Sequence, residues 1–172
     1  NFLESLCSTF SARPMTPVFY RELAETGRLI MYLQNVLYLD RTFDTYLSII
    51  DKSLFAALPG MLRDQNFDPF TGYLAPATYF LERVQVATEG RSAVIRCVDA
   101  LLNTYQKAQE GGFWRSNFLG RKQIYTGWSH GMAAILLFLT QVLECPLNYK
   151  SQEIKQVLKG GATYLCSLAE GH

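Results

Sequence analysis

Apolar residues recur along this chain in steps of three and four rather than two. Between Pro17 and Leu39 the series Phe19, Leu23, Ile30, Leu33 and Leu37 marks one face. Arg21, Glu22, Glu25 and Arg28 turn mostly away from it and read as a solvated helix face. Between Thr42 and Leu58 the series is Phe43, Tyr46, Leu47, Ile50, Leu54 and Leu58. Val94, Val98, Leu101, Leu102 and Tyr105 repeat the pattern, as do Ile154, Val157, Leu158, Gly161, Leu165 and Leu168. Such spacing puts each set on one stripe of a helix, which has to be buried against a neighbour. No segment alternates convincingly with a period of two, so the pattern predicts an all-α protein.

Two segments differ. Tyr73–Leu81 and Met132–Leu143 are apolar nearly all round, which predicts helices buried on every side. A polar turn containing glycine precedes each one, Asp68-Pro69-Phe70-Thr71-Gly72 in the first case and Tyr125-Thr126-Gly127-Trp128-Ser129-His130-Gly131 in the second. An amphipathic helix follows each. Superposing Gly72 on Gly131 also aligns Ala75 with Ala134, Phe80 with Leu139 and Thr71 with His130. Repeated pairs of a buried and an amphipathic helix predict two concentric layers, an α/α toroid, with repeats near 60–112 and 113–170 in a single domain, 1–172. Two pairs and the helices before Asp68 do not close a ring, so the expectation is a partial toroid. Its end faces would be apolar and open to self-association or to the remainder of the ring.

With 49% apolar and 18% charged residues among 172, the chain is no disordered segment. A formal charge of +1 gives no electrostatic grip on nucleic acid. The longest apolar stretch, Met132–Leu139, is far short of the roughly 20 residues of a membrane span, and no basic-then-apolar leader opens the chain. Cys7, Cys97, Cys145 and Cys166 lie far apart, without CxxC or Cys-His spacing. They read as reduced thiols packed as small hydrophobes in a cytoplasmic protein, with no metal ligand assigned.

His130 stands at the mouth of the most apolar helix, where the partial positive charge of the helix end favours a neutral ring. Such a ring facing a cavity can take a proton from a thiol or hydroxyl and return it; equally, it can cap the helix or satisfy the core. His172 is terminal and has no assigned role. Asp68 reads as a helix cap in Asp-Pro. Alternatively, Thr71 caps a helix starting at Gly72 and leaves the Asp68 carboxylate at the same end as His130. The loop Gly111–Gly127, with Phe113, Trp114, Arg115, Phe118 and Tyr125, either lines a peptide groove or folds back over the core. Tyr32, Tyr38 and Tyr46 read as packing residues.

The segment Tyr125-Thr126-Gly127-Trp128-Ser129-His130-Gly131-Met132-Ala133-Ala134-Ile135, with Trp114-Arg115 before it, resembles the Gly-Phe-Ser-His-Gly-x-Ala-Gly-Ile motif of lanthionine synthetase C-like cyclases. Asp68-Pro69-Phe70-Thr71-Gly72-Tyr73-Leu74-Ala75 is similar to the family's earlier Asp-x-x-x-Gly-x-x-Gly repeat. The resemblance implies a double-layered α/α barrel that adds a peptide cysteine thiol to dehydroalanine or dehydrobutyrine, closing a thioether ring. It implies a zinc ion held by two cysteines and a histidine, with a histidine and an aspartate assisting proton transfer. By position His130 is the acid/base and Asp68 its electrostatic partner, with Trp114, Arg115, Tyr125 and Trp128 on the substrate path. The Trp-Cys-x-Gly and Cys-His-Gly segments that hold the zinc do not occur here, and Ala75 and Ala134 stand where glycines are expected. The chain therefore reads either as an N-terminal piece of a cyclase or as a member of a zinc-less branch, inactive alone in both cases. The alternative is a non-catalytic module that binds a precursor peptide or a small thiol of the glutathione type. A glycan-processing or prenyl-transferring toroid ranks below both, since only Asp68 is well placed among carboxylates.

Overall fold

Each helix begins and ends where local chemistry dictates. The computed structural model describes residues 15–37 and 43–170, so Cys7, Tyr38, Leu39 and His172 lie outside the described residues. Helix α1 (Pro17–Leu37) opens on Thr16, whose Oγ1 accepts the Phe19 N–H at 3.2 Å, and on a proline that has no N–H to satisfy. Helix α2 (Asp44–Arg63) has an acid in its first turn and a base in its last. It runs past Leu58, the end of its predicted stripe, and carries Pro59 inside, because Met61 and Leu62 still pack against the core. Gln65 then turns the chain with φ 51. Helices α3 (Leu74–Arg83) and α4 (Thr88–Thr104) follow, and α5 (Met132–Glu144) and α6 (Ser151–Glu170) complete the chain.

The stretch between α4 and α5, expected to be an irregular loop, holds two short antiparallel hairpins. Strand β1 (Gln106–Lys107) pairs with β2 (Gly112–Phe113), and β3 (Ser116–Phe118) with β4 (Arg121–Gln123). Leu119 and Gly120, with φ 50 and 75, make the two-residue turn that matches strand twist in a hairpin. Strands of two or three residues are too short to show alternation in sequence. The protein is predominantly helical all the same.

The helices pack in two rows. In one, α1 lies against α3 and α3 against α5; in the other, α2 lies against α4 and α4 against α6. Across the rows, α1 packs on α2, α3 on α4, and α5 on α6. Helix α3 has neighbours on every side and none of Tyr73–Leu81 is exposed, in line with its uniform apolarity. Helix α5, expected to be equally enclosed, is not: Leu137 and Thr140 are exposed, because α5 ends its row and α3 covers only one flank. Among the described residues, no helix is long and apolar enough to cross a membrane.

Polar side chains fix the inter-helix geometry. Asp51 of α2, almost wholly buried, accepts the Tyr79 hydroxyl at 2.6 Å and both the Nε (3.1 Å) and Nη2 (2.5 Å) of Arg83 from α3. A charge removed from water needs such full pairing. The charges of α1 are more than a solvated face: Arg28 reaches Glu82 of α3 at 2.6 Å, and Arg21, half-buried, lies 5.8 Å from the Phe70 ring. Tyr32, expected to pack, is 61% exposed; with Leu29 and Val36 it forms an open apolar stripe on α1. Cys97 is fully buried and Cys145 partly so, whereas Cys166 is exposed rather than packed.

Two predictions follow from burial. Burial, reinforced by the bond to Asp51, pushes the Tyr79 hydroxyl far up, and burial, with a smaller contribution from Cys97, does the same to Tyr73. Both therefore keep their protons in the fold after an unfolded chain would lose them. That stability is whole below about pH 10, the ordinary tyrosine value, and declines as pH rises beyond it. Circular-dichroism melts from neutral to strongly alkaline pH should show the midpoint falling only past that point, less steeply in Tyr79→Phe. Burial also pushes the Cys97 thiol up. Iodoacetamide labelling mapped by mass spectrometry should modify Cys166 first and Cys97 only in denaturant.

Candidate functional site

The turn before α3 is built around one carboxylate. Asp68 Oδ1 accepts the N–H groups of Phe70 (2.6 Å) and Thr71 (2.7 Å), while the Asp68 N–H donates to Asn66 Oδ1 at 3.0 Å. The Asn66 side-chain amide donates to the Thr71 carbonyl at 3.1 Å, and the Tyr73 N–H closes the turn on the Asn66 carbonyl at 3.1 Å. At Gly72 a Cβ would collide with the Asn66 carbonyl and the Asp68 backbone, so this tight a turn requires glycine. Neither helix start expected here occurs, since α3 begins at Leu74 with no side-chain cap. One Asp68 oxygen instead caps the turn itself, and the other is left for a distant partner. Thr71 makes no cap.

That partner is His130, whose Nδ1 hydrogen-bonds Asp68 Oδ2. The histidine precedes α5 in a turn closed by the Met132 N–H on the Tyr125 carbonyl (2.8 Å) and the Ala133 N–H on the Thr126 carbonyl (3.2 Å). Gly131 packs so closely on the Tyr125 backbone that no side chain fits there. A third segment fixes the ring plane. Hairpin β3–β4 is pinned to the end of α2 by the Asn117 N–H on the Gln65 carbonyl (3.0 Å), the Phe67 N–H on Ser116 Oγ (3.1 Å) and Lys122 Nζ on Gln65 Oε1 (2.5 Å). So held, the hairpin stacks Phe118 on the imidazole, with centroids 4.1 Å apart and planes 24° apart. Phe70 and Tyr125 contact the ring edge-on, each at 6.4 Å.

Asp68 is 0% exposed and the His130 side chain 38%. A carboxylate accepts, so Nδ1 carries the proton it shares, and in the neutral ring the lone pair is left on Nε2. No hydrogen bond engages Nε2 among the described residues. An oriented imidazole with one nitrogen backed by a buried carboxylate can move a proton at the other.

Beside this pair, a cleft of about 340 Å³ opens between α1, α3 and α5. Trp128, 51% exposed, stands on its rim together with Phe70. Of the other residues expected on a substrate path, Tyr125 flanks His130, but Trp114 does not face the cleft. Trp114 is 1% exposed, donates its indole N–H to the Leu101 carbonyl at 2.8 Å and packs on Tyr105, so its role is to lock the hairpin region onto α4. Arg115 is exposed and lies over Phe113 at 5.4 Å, away from the histidine. Phe118 belongs to the aromatic loop expected to line a groove or cover the core, but nothing in the sequence pairs it, Phe70 or Asn66 with this site, because an aromatic among many aromatics carries no signal that it will meet one particular ring.

The zinc implied by the resemblance needs three converging donors. Among the described residues, no three His, Cys, Asp or Glu side chains gather to hold a metal, and the Cys97 thiol is sealed in the core. The described residues do not fit that group, and no chemistry below is routed through it. No family model, curated protein or solved structure matches the chain.

The two tasks of Asp68 separate experimentally. Asp68→Ala should cost about 2 kcal/mol in urea unfolding, since it strips a cap and leaves the part-buried Phe70 and Thr71 N–H groups without their acceptor. Asp68→Asn, whose amide oxygen still caps, should recover most of that. His130→Ala, which leaves the buried Asp68 Oδ2 without its partner, should cost about 1–3 kcal/mol.

Proposed function

We propose that this chain is part of a lanthionine synthetase C-like cyclase, with His130 as its acid/base and Asp68 as the residue that positions it. The observation that carries the reading is the bond between Asp68 and His130. The two motifs that resemble the family's repeats, far apart in sequence, supply partners to one pair at the same end of adjacent helices. The two-row packing supports an arc of an α/α toroid, in which α1, α3 and α5 form the inner wall and α2, α4 and α6 the outer.

On this reading His130 takes the proton of a peptide thiol at Nε2, and Asp68 stabilises the imidazolium that forms. The thiolate attacks the β-carbon of a dehydroalanine or dehydrobutyrine, forming the S–C bond as the C=C π pair moves onto the carbonyl as an enolate. His130 then returns the proton to the α-carbon. The net change is an isomerisation, with no oxidant, reductant or leaving group. The aromatic box keeps the ring at one angle throughout.

A non-catalytic module that binds a peptide or small thiol is the second reading, favoured by the dispersed thiols and the lack of a three-donor cluster among the described residues. One experiment separates the two. In the complete protein carrying this segment, a peptide with a cysteine and a dehydroalanine should lose its alkylatable thiol without change of mass. His130→Ala should slow that loss by about 10²–10⁴-fold. An unchanged rate in His130→Ala overturns the cyclase reading; saturable binding with the thiol retained decides for the module.

A further inference from the structure

The cleft beside the dyad is hollow for a definite reason: three helices turn alanines toward it, Ala24 from α1, Ala75 from α3 and Ala134 from α5. The apolar side chains of Leu74 and Phe138 also line it. Its volume of about 340 Å³ falls at the small end of ligand pockets, which run from about 300 to 1,000 Å³, so it takes one side chain with its backbone rather than a folded partner.

Charge narrows the occupant further. Among the described residues, the charged groups on the lining are Glu25 and Arg28, and both are paired within the protein, with Arg21 at 3.7 Å and Glu82 at 2.6 Å. No net charge awaits a ligand, and a charged side chain would lose hydration without a partner. The lining carboxamide of Gln141 makes no hydrogen bond among the described residues, and it can serve a peptide group. The cleft adjoins the dyad across Phe70, which both lines it and touches the His130 ring, and Trp128 on its lining lies two positions before His130.

We propose that this cleft is a side-chain subsite that seats an uncharged apolar residue, aliphatic or aromatic, of a bound peptide next to the residue presented to His130. Its placement as a substrate subsite rests on the cyclase reading; its preference for apolar side chains does not. Contact of such a side chain with Leu137, Ala75 and the face of Trp128 removes apolar surface from water on both partners.

Trp128 makes the test direct. The chain has two tryptophans; Trp114 is already buried, so a ligand entering the cleft changes the emission of Trp128. N-acetyl-leucinamide and N-acetyl-phenylalaninamide should shift that emission to the blue and saturate. N-acetyl-glutamic acid amide and N-acetyl-lysinamide should not do so at the same concentrations. Ala75→Leu, which fills the hollow, should weaken the apolar amides by about tenfold or more, the usual range for side-chain discrimination by an apolar pocket. Should that variant lose its helical circular dichroism, Leu137→Glu, an exposed position at the edge, should give the same weakening in a folded protein. A shift of equal size with all four amides, or apolar binding untouched in a folded cleft variant, overturns the subsite. Ring closure in His130→Ala tests the dyad separately: saturable amide binding with ring closure unaffected by His130→Ala sinks only the cyclase reading, and the reverse pattern sinks only the subsite.

Discussion

A single buried carboxylate joins the two halves of this molecule's chemistry. Asp68 has no contact with solvent, yet each of its oxygens is engaged, one by the N–H groups of its own turn and one by an imidazole from another. Burying an ion is costly unless its lone pairs are satisfied. The cap satisfies one oxygen before the histidine is counted, so the second is held at a fixed angle by bonds that do not depend on His130. The turn thereby fixes where Nδ1 of the imidazole is held, and the Phe118 stack fixes the plane of the ring.

The rest of the scaffold can be understood as what keeps those two turns side by side. Helix α3 is enclosed by α1, α2, α4 and α5, and the Asp51, Tyr79 and Arg83 cluster fixes it on α2 near its far end. Trp114, bonded to the Leu101 carbonyl, ties the hairpin region to α4. The next pair of strands is tied in turn to the end of α2. Errors in helix position would propagate to the imidazole through any of these ties, because packed interiors transmit small displacements.

Much of this architecture is legible in the sequence. The stripes through Leu47, Leu54 and Leu58, and through Val94 and Val98, are buried as their spacing requires. The all-round apolarity of Tyr73–Leu81 marks the most enclosed helix. Asp68 and His130 could be singled out because each stands in a glycine turn ahead of an apolar helix, and helix termini gather unsatisfied groups that attract function. What periodicity could not show is partnership across space. Leu137 reads as buried but sits at the end of a row, Tyr32 as packed but lies on an open face, and Trp114 as a recognition residue though it is a core anchor. In each case composition is right and tertiary position decides the outcome. The short hairpins escaped notice for another reason: their strands hold too few residues for a period to emerge.

The stacking of Phe118 on the histidine has a consequence for how the site comes into being. Its three contributors, the turn at Asp68, the hairpin tip and the turn that carries His130 into α5, share no local sequence, and none can orient the ring by itself. With every helix formed but the hairpin undocked, the imidazole would keep its bond to Asp68 and lose the Phe118 face that fixes its plane. Competence thus rests on the seating of one small piece of sheet against the end of the second helix, and not on the helices alone.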